Sequence, residues 1–282
     1  MDAVKRAMWF IEAHFASELT LEEVAQCAGV SRFHLLRAFG AAIGMPVMQY
    51  VRARRLSEAA HQLANGSQDI LTVALDAGYN SHEAFTRAFR DLFNATPEAV
   101  RRQGSVAHLN LIEARTMNTA PLRKLEPPRI ETHEAMLIVG LSERYLCEQD
   151  AGGIPSQWQR FVPYLGSIPQ QNGADTYGVV YNTDDAGYMD YMSGVEVKGI
   201  SELPHGLNSL HVPAHRYAIF FHPDHIAQVR DSWNYIWNDW LPRSGFEASD
   251  APILEHYDHR FDPRTGAGGV ELWVPLKDAK KR

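Results

Sequence analysis

The distribution of apolar and polar residues repeats itself near the start of the chain. Residues 24–39 and residues 73–89 both begin with Val-Ala, continue with Ala-Gly and then a Ser, and end with Arg-Ala-Phe. A glycine that ends one helix and a serine that caps the next are typical of two helices joined by a tight turn. The sequence therefore predicts two helix-turn-helix units, one after the other.

Helical spacing extends through the rest of the first hundred residues. Apolar positions three and four apart define one face of the first predicted helix: Val4, Ala7, Met8, Ile11 and Phe15. Thr20 and Glu23 have the spacing of a capping box and predict the start of the next helix. A long helix is predicted over residues 46–65. Thr96 followed by Pro97 predicts a capped short helix at the end of this region.

The period changes to that of strands in the second half, after a looser stretch of mixed polar and apolar residues. The predicted elements are, in order, a strand over 135–141, a helix over 154–165, strands over 177–181 and 188–197, a strand over 215–221, a helix over 225–241, and strands over 253–261 and 270–276. The order strand, helix, strand, strand thus occurs twice, and residues 193–197 resemble residues 268–272 in the last strand of each half.

These patterns predict the fold class. We expect two domains: an all-α double helix-turn-helix domain over residues 1–104, then a linker over 105–124, then an α+β domain of two β-α-β-β repeats over 125–282. A chain of 282 residues fits two domains better than one.

Composition is that of an ordinary globular protein, with 45% apolar and 22% charged residues. No apolar run is long enough to cross a bilayer, and the first residues do not resemble a secretory signal. Cys27 and Cys147 are far apart and form neither a metal-binding nor a redox motif. We therefore expect a cytoplasmic protein with no membrane partner.

Charge is divided unevenly along the chain. Basic and acidic residues balance over residues 1–104, so the net charge of −7 resides in the remainder. A nucleic-acid-binding domain is usually basic overall, and this balance is unfavourable for that function. Local clusters compensate, and the following arginines are candidates for phosphate contacts: Arg52, Arg54, Arg55, Arg101 and Arg102.

The first 104 residues resemble the DNA-binding domain of AraC-family transcription regulators. The resemblance is carried by Ser81-x3-Phe85-x-Arg87-x-Phe89-x6-Thr96-Pro97-x3-Arg101, with two departures, at Asn94-Ala95 and at Val100. It implies seven helices, with two helix-turn-helix units joined by a long helix, and double-stranded DNA as a partner. The exposed faces that would enter the groove are Arg32, Phe33, Leu36 and Arg37 in the first unit and His82, Glu83, Thr86 and Arg87 in the second.

Each of these residues also has a structural interpretation. Phe33 and Leu36 could belong to the core, whereas Arg37 and Arg87 could each brace a helix-turn-helix unit by pairing with a carboxylate. Arginine is the commonest reader of guanine, and a glutamate such as Glu83 can accept a hydrogen bond from cytosine.

The second half resembles the GyrI-like effector-binding domain, which also forms the C-terminal part of Rob-type multidrug-sensing regulators. The matching stretches are Trp158-Gln159-Arg160-Phe161, Tyr177-Gly178-Val179, Asp190-Tyr191-x2-Gly194-Val195-Glu196-Val197, Trp240-Leu241-Pro242-x-Ser244-Gly245 and Phe261-Asp262-Pro263-x-Thr265-Gly266-x-Gly268-Gly269-x-Glu271-Leu272-Trp273-Val274-Pro275. The resemblance implies a ligand cleft between the two halves, with aromatic walls and an acidic residue at Glu271.

Strand alternation agrees with this expectation. Glu271 and Trp273 share one face of the last predicted strand, opposite the apolar face. A shielded carboxylate beside aromatic rings suits an organic cation, although Glu271 could instead be an ordinary solvated residue. Glu196 is its echo in the first repeat and could be structural. The candidate cleft aromatics are Tyr145, Trp158, Tyr177, Tyr191, Trp237 and Trp273.

Histidine pairs raise the question of a metal. His222-x-x-His225 and His256-x-x-His259 have the spacing of paired ligands, but neither pair has an obvious third ligand in sequence. We expect no metal and no cofactor.

The leading hypothesis is a sequence-specific transcription regulator whose second domain binds a small, lipophilic or cationic effector, with RNA polymerase as a further candidate partner. It is not expected to be an enzyme. Two alternatives remain: a GyrI-like hydrolase that uses Glu271 as general base if burial raises its pKa, and a protein that sequesters a ligand or acts as an architectural protein.

Overall fold

The computed structural model describes residues 2–66, 69–113, 124–146, 153–200 and 202–277. Within them the chain divides into two compact units. The first contains residues 1–32 and 47–119, and the second contains residues 33–46 and 120–282. Residues 114–123 of the predicted linker, and the second cysteine, Cys147, lie outside the described residues.

The described part of the N-terminal region is helical, as predicted. Its helices are α1 (Ala3–His14), α2 (Leu21–Ala28), α3 (Arg32–Ile43), α4 (Val47–Asn65), α5 (Ile70–Asp76), α6 (His82–Phe93) and α7 (Pro97–Gln103). The two predicted helix-turn-helix units are therefore α2–α3 and α5–α6, and α4 is the long helix that joins them.

Side-chain caps fix where these helices begin. The Thr20 hydroxyl accepts a hydrogen bond from the backbone N–H of Glu23, whose carboxylate accepts one from the Thr20 N–H, so the predicted capping box is confirmed. The Ser81 hydroxyl caps α6 by accepting a hydrogen bond from the backbone N–H of Ala84, and the Thr96 hydroxyl caps α7 by accepting one from Ala99, with Pro97 in the first turn of α7. Asn94 adopts the left-handed backbone that this position requires after α6, at φ 51°.

Three phenylalanines four residues apart form the centre of the core around α4 to α7. Phe85, Phe89 and Phe93 lie on one face of α6, with successive rings 5.5 and 4.8 Å apart. They pack with buried residues of α4, α5 and α7 such as Leu63, Val73 and Val100. Burying this stripe holds α6 in place and leaves its other face outward.

Two of the arginines predicted as candidates for phosphate contact form hydrogen bonds within the N-terminal region. Arg54 is buried and forms an ion pair with Glu12, at 3.0 Å between Nη2 and Oε2, and it also donates to the carbonyl oxygen of Ile112. Arg55 donates to the carbonyl oxygens of Phe15 and Ser17. Both arginines therefore tie α4 to the C-terminal end of α1.

The second domain is built on one antiparallel sheet of eight described strands. The elements are β1 (Arg129–His133), β2 (Met136–Leu146), α8 (Gly153–Phe161), β3 (Gln171–Tyr181), β4 (Tyr188–Val197), β5 (Asn208–Val212), β6 (His215–His222), α9 (Val229–Tyr235), α10 (Leu241–Ser244), β7 (Ile253–Tyr257) and β8 (Val270–Pro275). A π-helical turn, Ile236–Trp240, joins α9 to α10, so the helix predicted over 225–241 is interrupted.

The sheet confirms the predicted duplication and adds one short strand to each half. Its order is β1-β6-β8-β7-β3-β4-β2-β5. The strands β2, β3 and β4 with α8 form one β-α-β-β repeat, and β6, β7 and β8 with α9 form the other. The two repeats meet where β3 pairs with β7. The added strands cross between repeats, because β1 pairs with β6 and β5 pairs with β2.

Alternation along the strands gives the sheet two different faces. One face carries a cluster that includes Tyr177, Met192, Tyr217, Leu254 and Trp273. The other carries Val139, Phe161, Val195 and Val197, with Trp158 of α8 packed against them. Helix α8 therefore covers the second face in the first repeat.

Candidate ligand cleft and DNA-reading helices

A cavity of about 590 Å³ opens on the face of the sheet that carries Tyr177 and Trp273. Residues of β1, of the turn after it and of β2, β3, β4, β7 and β8 line it: Arg129, Thr132, His133, Glu134, Ala135, Met136, Asp175, Tyr177, Glu196, His256, Glu271 and Trp273. The cleft thus draws on both repeats, which the pairing of β3 with β7 brings together.

Glu271 is the most enclosed carboxylate of the cleft, at 6% exposed. Oε1 accepts hydrogen bonds of 3.2 Å from Arg129 and from Arg260, and Oε2 lies 3.2 Å from Nδ1 of His256 and 3.3 Å from the indole nitrogen of Trp273. The hydrogen bond from His256, with help from the positive charge of Arg129, outweighs burial and lowers the pKa of Glu271 to about 2. Its side chain is therefore a carboxylate across the physiological range.

His256 lies between two carboxylates and two aromatic rings. Its Nε2 is 2.9 Å from Oδ2 of Asp175, while Nδ1 faces Glu271. The imidazole stacks on the ring of Tyr177, with centroids 4.9 Å apart and an interplanar angle of 15°, and meets Trp273 edge-on at 5.5 Å. Burial lowers the pKa of His256, but the hydrogen bonds with Glu271 and Asp175 outweigh burial and raise it above the usual value.

Four of the predicted ligand residues meet in this cleft: Glu196, Tyr177, Glu271 and Trp273. Glu196 lines it from β4 and accepts a hydrogen bond of 2.8 Å from the Asn172 side chain. Burial is the main cause that raises the pKa of Tyr177, and the nearby negative charge of Glu196 adds to it. Whether these residues bind a ligand remains a prediction.

The other predicted aromatics lie elsewhere. Tyr191 is one residue out of phase with Met192 and Glu196, so it faces α8, where Trp158 donates to its hydroxyl at 3.0 Å. Tyr145 donates to Glu143, and Trp237 stacks against Trp233 with centroids 6.3 Å apart. None of these four residues lines the cavity described above. Strand alternation turns Tyr145 and Tyr191 to the other face of the sheet, whereas Trp158 and Trp237 lie on helical segments. Their part in ligand binding stays a prediction.

Several lining residues were not identified from sequence. Asp175 and His256 come together because β3 and β7 pair with Tyr177 opposite His256. Arg129 and His133 lie on β1, a strand that was not predicted, and the His133 ring contacts Trp273 at a tilt of 43°, with centroids 4.1 Å apart. In the sequence, His256 stands out only because it has the spacing of a paired metal ligand with His259, and the His259 side chain is exposed. Within the described residues, no group of three or more potential ligands could hold a metal ion.

Helix α6, in the first compact unit, presents a polar face. Glu83 and Arg87 are exposed, and His82 and Thr86 are half-buried beside the buried Phe85. Nε2 of His82 lies 3.2 Å from a carboxylate oxygen of Glu98. Glu83 and Arg87 thus lie on the exposed side of α6, away from the phenylalanine stripe, whereas His82 and Thr86 lie at its border.

Helix α3 is placed differently. Arg32 is exposed, with Nε 3.3 Å from Glu22. Phe33, Leu36 and Arg37 are half-buried. Within the second compact unit, which includes residues 33–46, Phe33 meets Trp237 edge-on with centroids 5.9 Å apart, and Arg37 donates to the hydroxyl of Thr183. The hydroxyl of Thr183 is thus one partner of Arg37, and contact of Arg37 with DNA stays a prediction.

Comparison with known proteins agrees with both halves. Residues 126–277, more than half of the chain, match the family of GyrI-like small molecule binding domains. The chain belongs to that family. Residues 24–103 match a helix-turn-helix domain family, of the AraC type. The protein is therefore a DNA-binding transcription regulator with a small-molecule-binding domain.

Two relatives and one solved structure illustrate the match. Transcriptional regulator Rob of Salmonella typhimurium LT2 is 32% identical over 280 residues, which is 95% of this chain and 94% of Rob. The right origin-binding protein of Escherichia coli K12 is 31% identical over 173 residues, 59% of this chain and 57% of that protein. A structure solved with bound tetraphenylphosphonium is 18% identical, with a TM-score of 0.47, over 54% of this chain and 95% of the other.

Among the helices described, none is both long and apolar enough to cross a membrane.

Proposed function

We propose that the cleft around Glu271 binds a lipophilic organic cation and that this binding changes how the helix-turn-helix domain occupies DNA. The observation that carries the proposal is the charge of the lining. Four carboxylates line the cleft, from Glu134, Asp175, Glu196 and Glu271, against one guanidinium, from Arg129. A cation gains from this excess of negative charge, and an anion is repelled by it.

The remaining lining supplies the apolar contacts. Trp273 and Tyr177 offer aromatic surface beside the carboxylates, and Met136 adds an adaptable apolar side chain. Charge pairing and cation–π attraction then act together on one ligand. The cavity volume of about 590 Å³ lies within the range typical of small-molecule sites.

The state of Glu271 argues against the hydrolase alternative. A general base works best when its pKa lies near the working pH. The pKa of Glu271 is about 2, and its oxygens are occupied by His256, Trp273 and two arginines, so it is a weak base with no vacant proton-accepting position. Its arrangement suits electrostatic attraction, and the related proteins are named as regulators. We propose that the chain is not an enzyme.

Two ions of nearly the same shape and opposite charge test the effector class. We expect tetraphenylphosphonium to bind the full chain and to quench tryptophan fluorescence through Trp273, and tetraphenylborate not to bind. Replacing Asp175 by Asn removes one lining charge and should weaken the cation about tenfold. Glu202→Gln removes an equal charge outside the cleft and should change nothing. Equal binding of both ions, or of the anion alone, would refute the proposed effector class.

For DNA, we propose that Arg32 of α3 and the polar face of α6, with His82, Glu83, Thr86 and Arg87, reach base edges. The exposure of Arg32, Glu83 and Arg87 supports this proposal. Binding of the full chain to a selected operator, measured with and without tetraphenylphosphonium, tests the coupling. An effector changes DNA occupancy only if its affinity differs between the free and DNA-bound states. An in vitro transcription assay then tests RNA polymerase as a further partner.

A further inference from the structure

We infer that His256 is the resident cation of the ligand cleft and that an organic cation binds there by displacing the proton of this imidazolium. The inference rests on the proposed function, because it concerns how the same cleft selects its ligand. It makes His256 a specificity-determining residue that ties effector affinity to pH.

The geometry around His256 is that of an occupied cation site. Its two ring nitrogens lie 2.9 Å from Asp175 and 3.2 Å from Glu271, so both can donate only when the ring is protonated. One face of the ring stacks on Tyr177, and its edge meets Trp273. Two carboxylates and two aromatic rings are the groups that the proposed ligand would also use.

Other charged groups reach His256 through Glu271. Arg129 on β1 and Arg260 after β7 each donate to Oε1 of Glu271, and Asp258 pairs with Arg260. From β4, Glu196 lines the same cleft, and Glu134 lines it from the turn after β1. Glu271 therefore already shares its negative charge with three cationic groups when His256 is protonated.

This crowding sets up a competition between two positive charges. An organic cation placed beside Asp175 and Trp273 lies within a few ångströms of the imidazolium, and like charges at that distance disfavour each other. Loss of the proton from His256 removes this repulsion. The negative charge of Asp175 can then pair with the ligand. His133 also contacts the ring of Trp273, but it lies next to Glu131, at 3.4 Å, and not between Asp175 and Glu271.

Linkage gives the competition a measurable form. If binding releases one proton, the affinity for a cation with a permanent charge rises about tenfold per pH unit while His256 is protonated in the free protein. The affinity becomes constant above the pKa of His256, which the two carboxylates hold above the usual value against the effect of burial. The carboxylate of Glu271 does not titrate in this range.

The experiment is a calorimetric titration of the full chain with tetraphenylphosphonium, whose charge does not depend on pH, from about pH 5.5 to 8.5 in buffers of different ionisation enthalpy. We expect affinity to rise with pH and about one proton to be released at the acidic end. His256→Gln should bind more tightly than wild type at low pH, with no pH slope. His256→Phe keeps a ring on Tyr177 and provides a second neutral variant if the first does not fold.

The variants and the pH series distinguish the role of His256 from the proposed effector class. The slope should persist in His133→Gln, and a slope that disappears there instead would overturn the role of His256. Binding of the cation with no pH dependence in wild type overturns this inference and leaves the proposed effector class standing. If the cation fails to bind wild type and both His256 variants at every pH, the proposed effector class is overturned, and the inference with it.

Discussion

The hydroxyl of Tyr191 donates a hydrogen bond of 2.9 Å to the carboxyl of Glu255, on the face of the sheet opposite the ligand cleft. The hydroxyl of Tyr257 donates to the same oxygen at 2.9 Å, and Trp233 approaches the other oxygen at 3.4 Å. Gly178 makes this possible, because a Cβ there would lie 2.1 Å from the Tyr191 oxygen. Both oxygens of the Glu255 carboxyl group therefore have aromatic hydrogen-bond donors on this face of the sheet.

We predict that Tyr191→Phe reduces stability and leaves effector affinity unchanged. The substitution removes one donor from Glu255 and the acceptor for the indole N–H of Trp158, so about 1–3 kcal/mol of unfolding free energy should be lost. Urea unfolding followed by tryptophan fluorescence measures the loss, because all the tryptophans except Trp9 lie in the sheet domain.

Tyr188→Phe is the matched control, since the Tyr188 side chain is exposed and the ring is retained. Its unfolding midpoint should equal that of wild type. If Tyr191→Phe instead weakened tetraphenylphosphonium without changing stability, Tyr191 would belong to the ligand site, as the sequence had suggested.

Local patterns in the sequence were sufficient for most of the elements. The capping box of Thr20 and Glu23, the αL residue Asn94 and the bounds of β4 all follow from signals a few residues long. Strands β1 and β5 were missed because each is five residues, partly exposed, and pairs with a strand of the other repeat. Nothing local to either segment specifies that pairing.

The cleft was predictable only where alternation along one strand decides the face. Glu271 and Trp273 share a face of β8, and the cavity includes both. The same alternation places Tyr191 on the face of β4 opposite Glu196, and therefore away from the cavity. Asp175 and His256 required the register of β3 against β7, which only the folded chain supplies.

The charge of His256 should make the stability of the second unit depend on pH. Burial lowers the pKa of this group, but the hydrogen bonds with Glu271 and Asp175 outweigh burial, so the pKa in the folded protein lies above the usual value of 6.5. Such a group stabilises the fold fully below its unfolded pKa, and the stabilisation is lost as the pH rises through the folded pKa. The difference in unfolding free energy between wild type and His256→Gln should thus be largest near pH 6 and smaller near pH 9.

The pKa of Glu271 gives a separate window with the opposite sign. Because its pKa falls from 4.5 to about 2 on folding, its stabilisation is complete above 4.5 and disappears as the pH falls toward 2. Measurements above pH 5 therefore isolate His256. His205→Gln is the control variant. If the difference in unfolding free energy between wild type and His256→Gln stayed constant from pH 6 to 9, and that between wild type and His205→Gln did too, the charge assigned to His256 would be contradicted.

For DNA recognition, Arg32→Ala should reduce affinity at one or two base positions by about 1–3 kcal/mol. The ion pair between Arg32 and Glu22 is exposed on both sides and costs little to break. Operator variants measured by fluorescence anisotropy give the position dependence. Arg102→Ala is the comparison, since a phosphate contact loses affinity equally on every sequence. If Arg32→Ala lost the same affinity on every operator variant, Arg32 would be assigned to a DNA phosphate contact instead.

The capping box of α2 allows a prediction about the first helix-turn-helix unit alone. Thr20→Ala removes the hydroxyl that accepts from the Glu23 N–H and should cost about 0.5–2 kcal/mol of local stability. Thr20→Ser keeps the acceptor and should retain most of it. Hydrogen exchange of the α2 amides in the full chain reports the change directly, because local opening limits their protection. The amides of α6, capped separately by Ser81, should exchange as in wild type. Faster exchange in both helices would mean that the cap stabilises the whole domain and not α2 in particular.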